Sequence, residues 1–189
     1  GKVTGREQGS LKDGKKDGLW VEYDEDGRVS LRVTYKNGKK DTWVTHGYNV
    51  NAQLFLTRTY KDGKLNGPSV MYHENGKLWE KGTYEDGKMD GPWFSYYDNG
   101  QLTYIGTYKD GRKDGPSVNY YKNGQLFFKG TYKDGNIDSP WVRYWDNGQL
   151  DSKGTYKDGK KEGPWVGFNE DGTIVPSLTG TYRNGKKVK

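Results

Sequence analysis

Aromatic and aliphatic residues occur along this chain in short runs that are separated by Asp-Gly or Asn-Gly pairs. One mark recurs almost regularly: a tyrosine followed by a charged residue, then Asp or Asn, then Gly, at Tyr35, Tyr60, Tyr84, Tyr108, Tyr132, Tyr156 and Tyr182. The spacings are 25, 24, 24, 24, 24 and 26 residues, and Leu11 extends the series backwards by 24. Self-similarity at a fixed period of this length indicates a repeat protein.

Each copy predicts one β-hairpin and a turn to the next hairpin. When Tyr84 is taken as position zero, two Asx-Gly turns, at 86–87 and 99–100, divide the copy into runs rich in aromatic and β-branched residues. That pattern is the strongest short-range hairpin signal. Helix is not expected, because Gly or Pro recurs within every dozen residues. Proline tolerates the first residue of a strand, and it marks that place at Pro68, Pro92, Pro116, Pro140 and Pro164.

The hairpin also predicts which residues face each other. If the Asn-Gly pair is the tight turn, the tryptophan of position 9 lies opposite the glycine of position 22, as for Trp93 and Gly106. A ring that covers a strand glycine is a known stabilising device. We therefore expect a packed face of Trp, Gly, the period Tyr and the Leu of position 18. A turn one residue longer would exchange the faces.

Composition favours a thin fold. Only 30% of the 189 residues are hydrophobic, but 15% are aromatic, which is more than disordered chains contain. Too few aliphatic residues are present for a thick core, so each hairpin must pack mainly on its neighbours. We predict an all-β fold, with tandem 24-residue β-hairpin repeats in a single-layer antiparallel sheet of fourteen to sixteen strands. Residues 1–189 form one array, with copies that begin near 11, 35, 60, 84, 108, 132 and 156 and a partial last unit at 182.

The repeated unit resembles a known family. It reads Tyr-Lys-Asp-Gly-Lys-x-x-Gly-Pro-Trp-x-x-Tyr-x-x-Asn-Gly-x-Leu-x-x-x-Gly-Thr, and it is similar to the MORN repeat in the variant form of bacterial YwqK-type proteins. The resemblance spans about Gly9 to Lys187. It implies an elongated, twisted antiparallel sheet curved into an open trough, and roles in scaffolding, dimerisation or membrane-proximal assembly. The YwqK-type form also implies an antitoxin or immunity role.

Catalytic chemistry is not expected. The chain has two histidines, His46 and His73, in different copies, it has no Cys, and nearly all its Asp residues stand beside a turn glycine. A catalytic site needs unlike residues that converge, and no break in the repeat reveals one. Lysines beside the Asp-Gly turns argue against calcium. We predict no enzyme activity, no catalytic residue, no metal and no cofactor. The compartment stays open: a soluble protein, secreted or periplasmic after removal of a leader, or cytoplasmic.

Positions that vary between copies are candidates for binding. At positions 13, 19 and 20, counted from the first tyrosine of each copy, large rings concentrate in the central copies. Because aromatic residues anchor interfaces, they predict a surface for a protein partner or a second copy in a weak homodimer. The alternative is that terminal copies are polar only as caps. The predicted partner-binding residues are His73, Trp79, Tyr97, Tyr104, Tyr121, Phe127, Phe128 and Trp145.

Basic residues flank the Asp-Gly turns in a regular series. The net charge is +6, but acidic residues alternate with basic ones along the chain, so a nucleic-acid partner is not expected. The series could bind anionic phospholipid or another polyanion, or it could only keep the sheet soluble and protect its edges. The candidate anion-binding residues, which we name the basic turns, are Lys61, Lys64, Lys109, Arg112, Lys133, Lys157 and Lys160.

Overall fold

The computed structural model describes residues 6–188, and within them it contains eighteen strands and no helix, so no helix there could span a membrane. The predicted all-β fold of tandem antiparallel hairpins is confirmed. The predicted number of strands was too low, because irregular residues divide some strands in two. Asp90 separates β8 from β9, and residues 138–139 separate β13 from β14.

The first compact unit extends up to Lys88. Its first seven strands form six antiparallel pairs of neighbours, from the first strand to the seventh. These strands are β1 (Glu7–Lys12), β2 (Lys15–Tyr23), β3 (Val29–Lys36), β4 (Lys39–Tyr48), β5 (Leu54–Lys61), β6 (Lys64–Tyr72) and β7 (Leu78–Glu85). The short strand β8 (Lys88–Met89) lies where the two units divide.

The second compact unit begins at Met89 and continues the same antiparallel hairpin pattern. Its strands are β9 (Gly91–Tyr96), β10 (Leu102–Lys109), β11 (Arg112–Tyr120), β12 (Leu126–Lys133), β13 (Asn136–Ile137), β14 (Pro140–Tyr144), β15 (Leu150–Lys157), β16 (Lys160–Gly167), β17 (Gly180–Arg183) and β18 (Lys186–Lys187).

The two kinds of turn exchange the roles that the sequence suggested. The tight two-residue turn is the Asp-Gly pair: Asp62 and Gly63 have φ of 49° and 80°, as a type I′ turn requires. At the Asn-Gly pair the loop holds three residues, because the Tyr97 N–H donates to the Gln101 carbonyl at 2.8 Å. Only Gly100 of that loop has positive φ, 92°. The Asn-Gly pair is therefore not the tight turn.

The predicted pairing is nevertheless correct over most of each hairpin, because a one-residue bulge compensates for the longer loop. Gly106 pairs with Trp93, and Trp141 pairs with Gly154, as expected. Nearer the loop, Leu102 pairs with Tyr96, so Thr103 is an extra residue on its strand. Such a bulge bends the strand and changes the direction of nearby side chains.

Tryptophan rings do cover strand glycines, but the glycine belongs to the preceding copy. A Cβ added at Gly154 would collide with the indole of Trp165, and one added at Gly9 would collide with Trp20. The prediction that each ring covers the paired glycine of its own hairpin is therefore wrong. The reason is a hydrogen bond: Trp165 Nε1 donates to the Thr155 carbonyl at 3.0 Å, which turns the ring towards the preceding strand.

The packed face is as thin as the composition indicates. In the first unit, Trp20, Val33 and Tyr35 form a buried cluster. In the second unit, Trp93, Trp165 and Tyr182 are buried. The aliphatic residues of position 18 are half-buried at Leu78, Leu102, Leu126 and Leu150, but Ile174 in the irregular last copy is 56% exposed.

Candidate functional site

Three of the predicted binding residues hold neighbouring copies together. At position 13, the Tyr97 hydroxyl donates to the Tyr120 carbonyl at 2.9 Å, and the Tyr121 hydroxyl donates to the Tyr144 carbonyl at 2.9 Å. Trp145 Nε1 donates to the Phe168 carbonyl at 3.2 Å. Each acceptor is 23 residues further along the chain. The polar atoms of these three side chains therefore connect neighbouring copies. Only the faces of their rings are left for contact with a partner.

The bulge determines where the residues of position 19 lie. Tyr72 pairs with Leu78 and Met71 with Glu80, which leaves Trp79 as the extra residue between them. Phe127 is the extra residue of its hairpin in the same way. Since a bulge changes the direction of its side chain, this variable position is the place where each copy can present a different group.

In the second unit, aromatic side chains form a continuous series of ring contacts, which we name the aromatic row. Consecutive ring centroids are 4.8, 5.2, 4.4, 5.7, 4.9 and 6.4 Å apart. Its members, in order, are Tyr121, Phe127, Phe128, Trp141, Tyr156, Trp165 and Tyr182. The structure thus brings Tyr121, Phe127 and Phe128 together, as three neighbours at one end of this row.

Tyr104 has a packing role in its own copy. Where sister copies have a tryptophan, this part of the chain has Ser117, which is 1% exposed. Tyr104 takes the place of the missing ring, because a Cβ added at Gly106 would collide with its hydroxyl. Burial raises the pKa of Tyr104. The Lys113 ammonium lies 4.7 Å from the centroid of the same ring, and burial lowers the pKa of Lys113.

In the first unit, His73 and Trp79 lie side by side. Their ring centroids are 5.8 Å apart, and Trp79 is 44% exposed. Trp79 is therefore the most accessible ring of the predicted set. The other histidine, His46, lies on β4, where its Nε2 is 2.7 Å from Arg32 Nη1. Burial, and then the Arg32 cation, lower the pKa of His46.

The basic turns place cations directly opposite each other. Lys61 pairs with Lys64, Lys109 with Arg112, and Lys157 with Lys160, each across a two-residue turn. Lys133 faces Asn136 instead. Lys64 lies 3.9 Å from the Asp86 carboxylate, whereas Lys109, Arg112, Lys157 and Lys160 form no ion pair within residues 6–188.

Some acidic residues near the turns accept hydrogen bonds from the backbone of the next turn. Asp114 Oδ2 accepts from the Asp134 N–H at 3.3 Å, and Glu162 Oε2 accepts from the Asn184 N–H at 2.8 Å. These carboxylates bind the next turn of the array. Across the described residues, no group of three or more His, Cys, Asp or Glu side chains is arranged to hold a metal ion.

One polar group interrupts the repeat at positions for which the sequence pattern predicted no site. Arg143 Nη2 lies 2.9 Å from Asp151 Oδ1, and the Asp151 side chain is only 5% exposed. Asp151 is the bulge residue between Leu150 and Ser152. We name Arg143, Asp151 and Ser152 the polar break. A comparison of copies could have revealed it, because Asp151 and Ser152 stand where the preceding copy has Phe127 and Phe128.

The similarity of this chain to three solved structures is weak. Similarity was found to the GtfA/B complex bound to UDP and GlcNAc, with 11% identity and a TM-score of 0.26 over 68% of this chain and 24% of that one. Similarity to the TcdB2-TccC3-Cdc42 complex has 13% identity and a TM-score of 0.23, over 86% of this chain and 14% of that one. Similarity to a protein of unknown function from Bacteroides fragilis has 9% identity and a TM-score of 0.14, over 96% of this chain and 94% of that one. This chain spans a quarter or less of the first two, and none of these TM-scores shows a shared fold.

The family comparison is clearer. No curated protein matches the chain. The family described as the MORN repeat variant matches residues 16–37, 65–86, 89–110, 113–134 and 138–158, which together make up more than half of the sequence. The chain therefore belongs to the MORN repeat variant family.

Proposed function

We propose that this chain is a non-enzymatic scaffold that binds a protein partner, or a second copy of itself, through aromatic side chains at the bulges of its repeats. MORN repeats are in general protein- or membrane-binding repeats, and the family is in general not enzymatic. The observation that supports the proposal is the bulge. Its side chain varies from copy to copy, whereas the paired strands that hold it recur in each copy.

Within the predicted residues, the bulge rings have the strongest case. The position-13 rings already hold neighbouring copies together through their polar atoms. Within residues 6–188, Trp79 and Phe127 make no such side-chain hydrogen bond to a neighbouring copy, and Trp79 is exposed beside His73. Aromatic residues that offer ring surface at little entropic cost are typical anchors of interfaces. An antitoxin-like role, as in YwqK-type proteins, would make the partner a toxin.

The test replaces bulge rings and uses a control at the same local structure. Phe55 is the bulge residue of another hairpin, it is 39% exposed, and it lies outside the predicted set. Trp79→Ser and Phe127→Ser should abolish recovery of a specific partner in quantitative affinity capture, whereas Phe55→Ser should not. Equal recovery with all three variants would refute the role of these rings.

Self-association has its own measurement. If the partner is a second copy, sedimentation velocity should show a weak dimer at high concentration that Phe127→Ser reduces and Phe55→Ser leaves unchanged. A strict monomer at millimolar concentration would eliminate the homodimer and leave the other protein partner.

The basic turns favour a second candidate function, binding to anionic phospholipid. Like charges directly opposite each other destabilise a hairpin. The pairs Lys61 with Lys64 and Lys109 with Arg112 therefore concentrate positive charge at a cost in stability. A surface of anionic headgroups would relieve that repulsion, and its attraction would be screened by salt over about 8 Å at physiological ionic strength.

Vesicles distinguish the two candidates. Phosphatidylserine vesicles should sediment the protein at low salt, phosphatidylcholine vesicles should not, and high salt should release it. Lys109→Gln with Arg112→Gln should weaken the binding more than Lys129→Gln with Lys153→Gln, which removes equal charge from strands β12 and β15. If phosphatidylserine vesicles fail to bind even at low salt, the lipid hypothesis is wrong.

A further inference from the structure

The polar break interrupts the aromatic row at one copy. In the preceding copy, Phe128 stacks on the following tryptophan, Trp141, with centroids 4.4 Å apart. The equivalent residue one copy later is Ser152, and the equivalent tryptophan is Trp165. Within residues 6–188, no ring therefore stacks on Trp165 at that place, and a small polar side chain leaves space beside it.

That space is a pocket of about 130 Å³. Arg143, Ser152, Tyr156 and Lys161 contribute polar groups to its lining, between the rings of Trp141 and Trp165. Leu178, from the two-residue insertion of the last copy, closes one side and packs against Gly167. Residues that depart from the repeat at three separate places thus meet around one cavity.

The pocket has an excess of one positive charge. Arg143 is paired with Asp151, and Lys161 forms no ion pair within residues 6–188. The Lys161 ammonium instead lies 4.4 Å from the centroid of Trp165. Burial, and then the nearby Arg143 cation, lower the pKa of Lys161, whereas the Asp151 carboxylate raises it. Arg143 Nε is buried without a hydrogen-bond partner in the described chain.

The size and the donors of the pocket determine what it can hold. Water occupies about 30 Å³ per molecule in the liquid, so the cavity has room for about four waters. A carboxylate with its adjoining methylene groups fits that volume, whereas a nucleotide does not. The hydroxyls of Ser152 and Tyr156 make no hydrogen bond within residues 6–188 and can donate to an anion. The tryptophan rings offer apolar walls for methylene groups.

We propose that this pocket binds the carboxylate of an acidic side chain presented by a protein partner. The carboxylate oxygens face the Arg143 guanidinium and the Lys161 ammonium, Ser152 donates from its hydroxyl, and the methylenes lie against Trp165. Charge-assisted hydrogen bonds of this kind are the stronger class. The source of the carboxylate rests on the proposed scaffold function, but the pocket itself can be tested without any partner.

The test uses two small probes of the same shape. N-acetyl-glutamyl amide carries the carboxylate, and N-acetyl-glutaminyl amide is its neutral counterpart. In ¹H–¹⁵N spectra of the full chain, the glutamyl probe should shift the Arg143 Nε–Hε and Trp165 Nε1–H signals with a saturable curve, on the order of millimolar Kd for so small a ligand. Equal shifts with both probes would overturn the proposal.

Variants with a matched control complete the test. Lys161→Gln should weaken binding of the glutamyl probe by about tenfold. Lys113→Gln is the control, because Lys113 occupies the same repeat position over Tyr104 and Tyr132 but does not line this pocket. Equal effects of the two substitutions would overturn the assignment of the site.

Ser152→Phe restores the ring that the preceding copy has, and it should fill the pocket and abolish the shifts in a chain that still folds. Retained binding in that variant would also overturn the proposal. If the glutamyl probe binds as expected but no protein partner is recovered, the pocket stands and the scaffold function fails.

Discussion

Replacement of Tyr121 by phenylalanine separates the frame from the binding surface. The substitution removes one hydroxyl, which donates to the Tyr144 carbonyl of the next copy at 2.9 Å, and it leaves the ring in place against Phe127. Tyr97→Phe removes the same bond one copy earlier, to the Tyr120 carbonyl. If position 13 holds the copies together, both variants lose stability but keep their ring surfaces.

The expected loss follows from the hydrogen bonds. A neutral intramolecular hydrogen bond contributes about 0.5–1.5 kcal/mol net, and here the carbonyl is left without its donor. Both bonds are partly buried, so we expect a loss of about 1 kcal/mol in the free energy of unfolding for each variant. The two losses sum to about 2 kcal/mol. The Tyr120 carbonyl belongs to the peptide unit that also contains the Tyr121 nitrogen, so the two sites are neighbours, and a departure of the double variant from this sum measures their coupling. For a chain of this length the sum corresponds to roughly 4–8 °C in Tm.

Urea unfolding followed by circular dichroism measures these losses. Tyr144→Phe is the control, because the Tyr144 hydroxyl makes no hydrogen bond within residues 6–188 and its loss should change stability by less than about 0.5 kcal/mol. Partner capture should be unchanged in Tyr121→Phe. If Tyr97→Phe and Tyr121→Phe were as stable as the parent chain, or if Tyr144→Phe lost as much, the role of position 13 in the frame would be refuted.

Three further predictions concern packing, pH and the polar break. Gly154→Ala should lower the free energy of unfolding by about 1–3 kcal/mol, because the added Cβ collides with the Trp165 indole. The loss should be smaller in a chain that also carries Trp165→Leu. Equal losses with and without Trp165→Leu would contradict the contact. Tyr104 has a raised pKa in the folded chain, so its contribution to stability is present below pH 10 and is lost as the pH rises through the pKa of the folded state. In urea unfolding, Tyr104→Phe should therefore lose less stability at alkaline pH than the parent chain does. An equal loss in both proteins would exclude Tyr104 as the source of the alkaline destabilisation. Arg143→Gln leaves the Asp151 carboxylate buried without its partner and should lower the free energy of unfolding by about 2–4 kcal/mol, less than for a fully buried pair because Arg143 is 41% exposed. Adding Asp151→Asn should recover part of that loss of stability. No recovery would show that the two residues are not coupled.

The sequence alone was sufficient for the repeat, the hairpins and most of the register. These features depend on local chemistry that recurs every copy: Asx-Gly pairs make turns, proline begins strands, and alternating side chains define faces. The pairing of Trp93 with Gly106 was therefore correct. The placement of cations beside the Asp-Gly turns was also readable, and Lys109 and Arg112 indeed flank one such turn.

The tertiary structure decided the details that depend on neighbouring strands. Whether the Trp165 ring leans forward or backward depends on which carbonyl accepts from its indole N–H, and the acceptor lies in the preceding copy. The bulge that redirects Phe127 compensates for a loop whose length only the hydrogen bonds reveal. Arg143 and Asp151 are eight residues apart along the chain, and only the hairpin with its bulge brings their charges together. Periodicity describes what every copy shares, whereas a site made from departures in several copies exists only where folding brings those departures into contact.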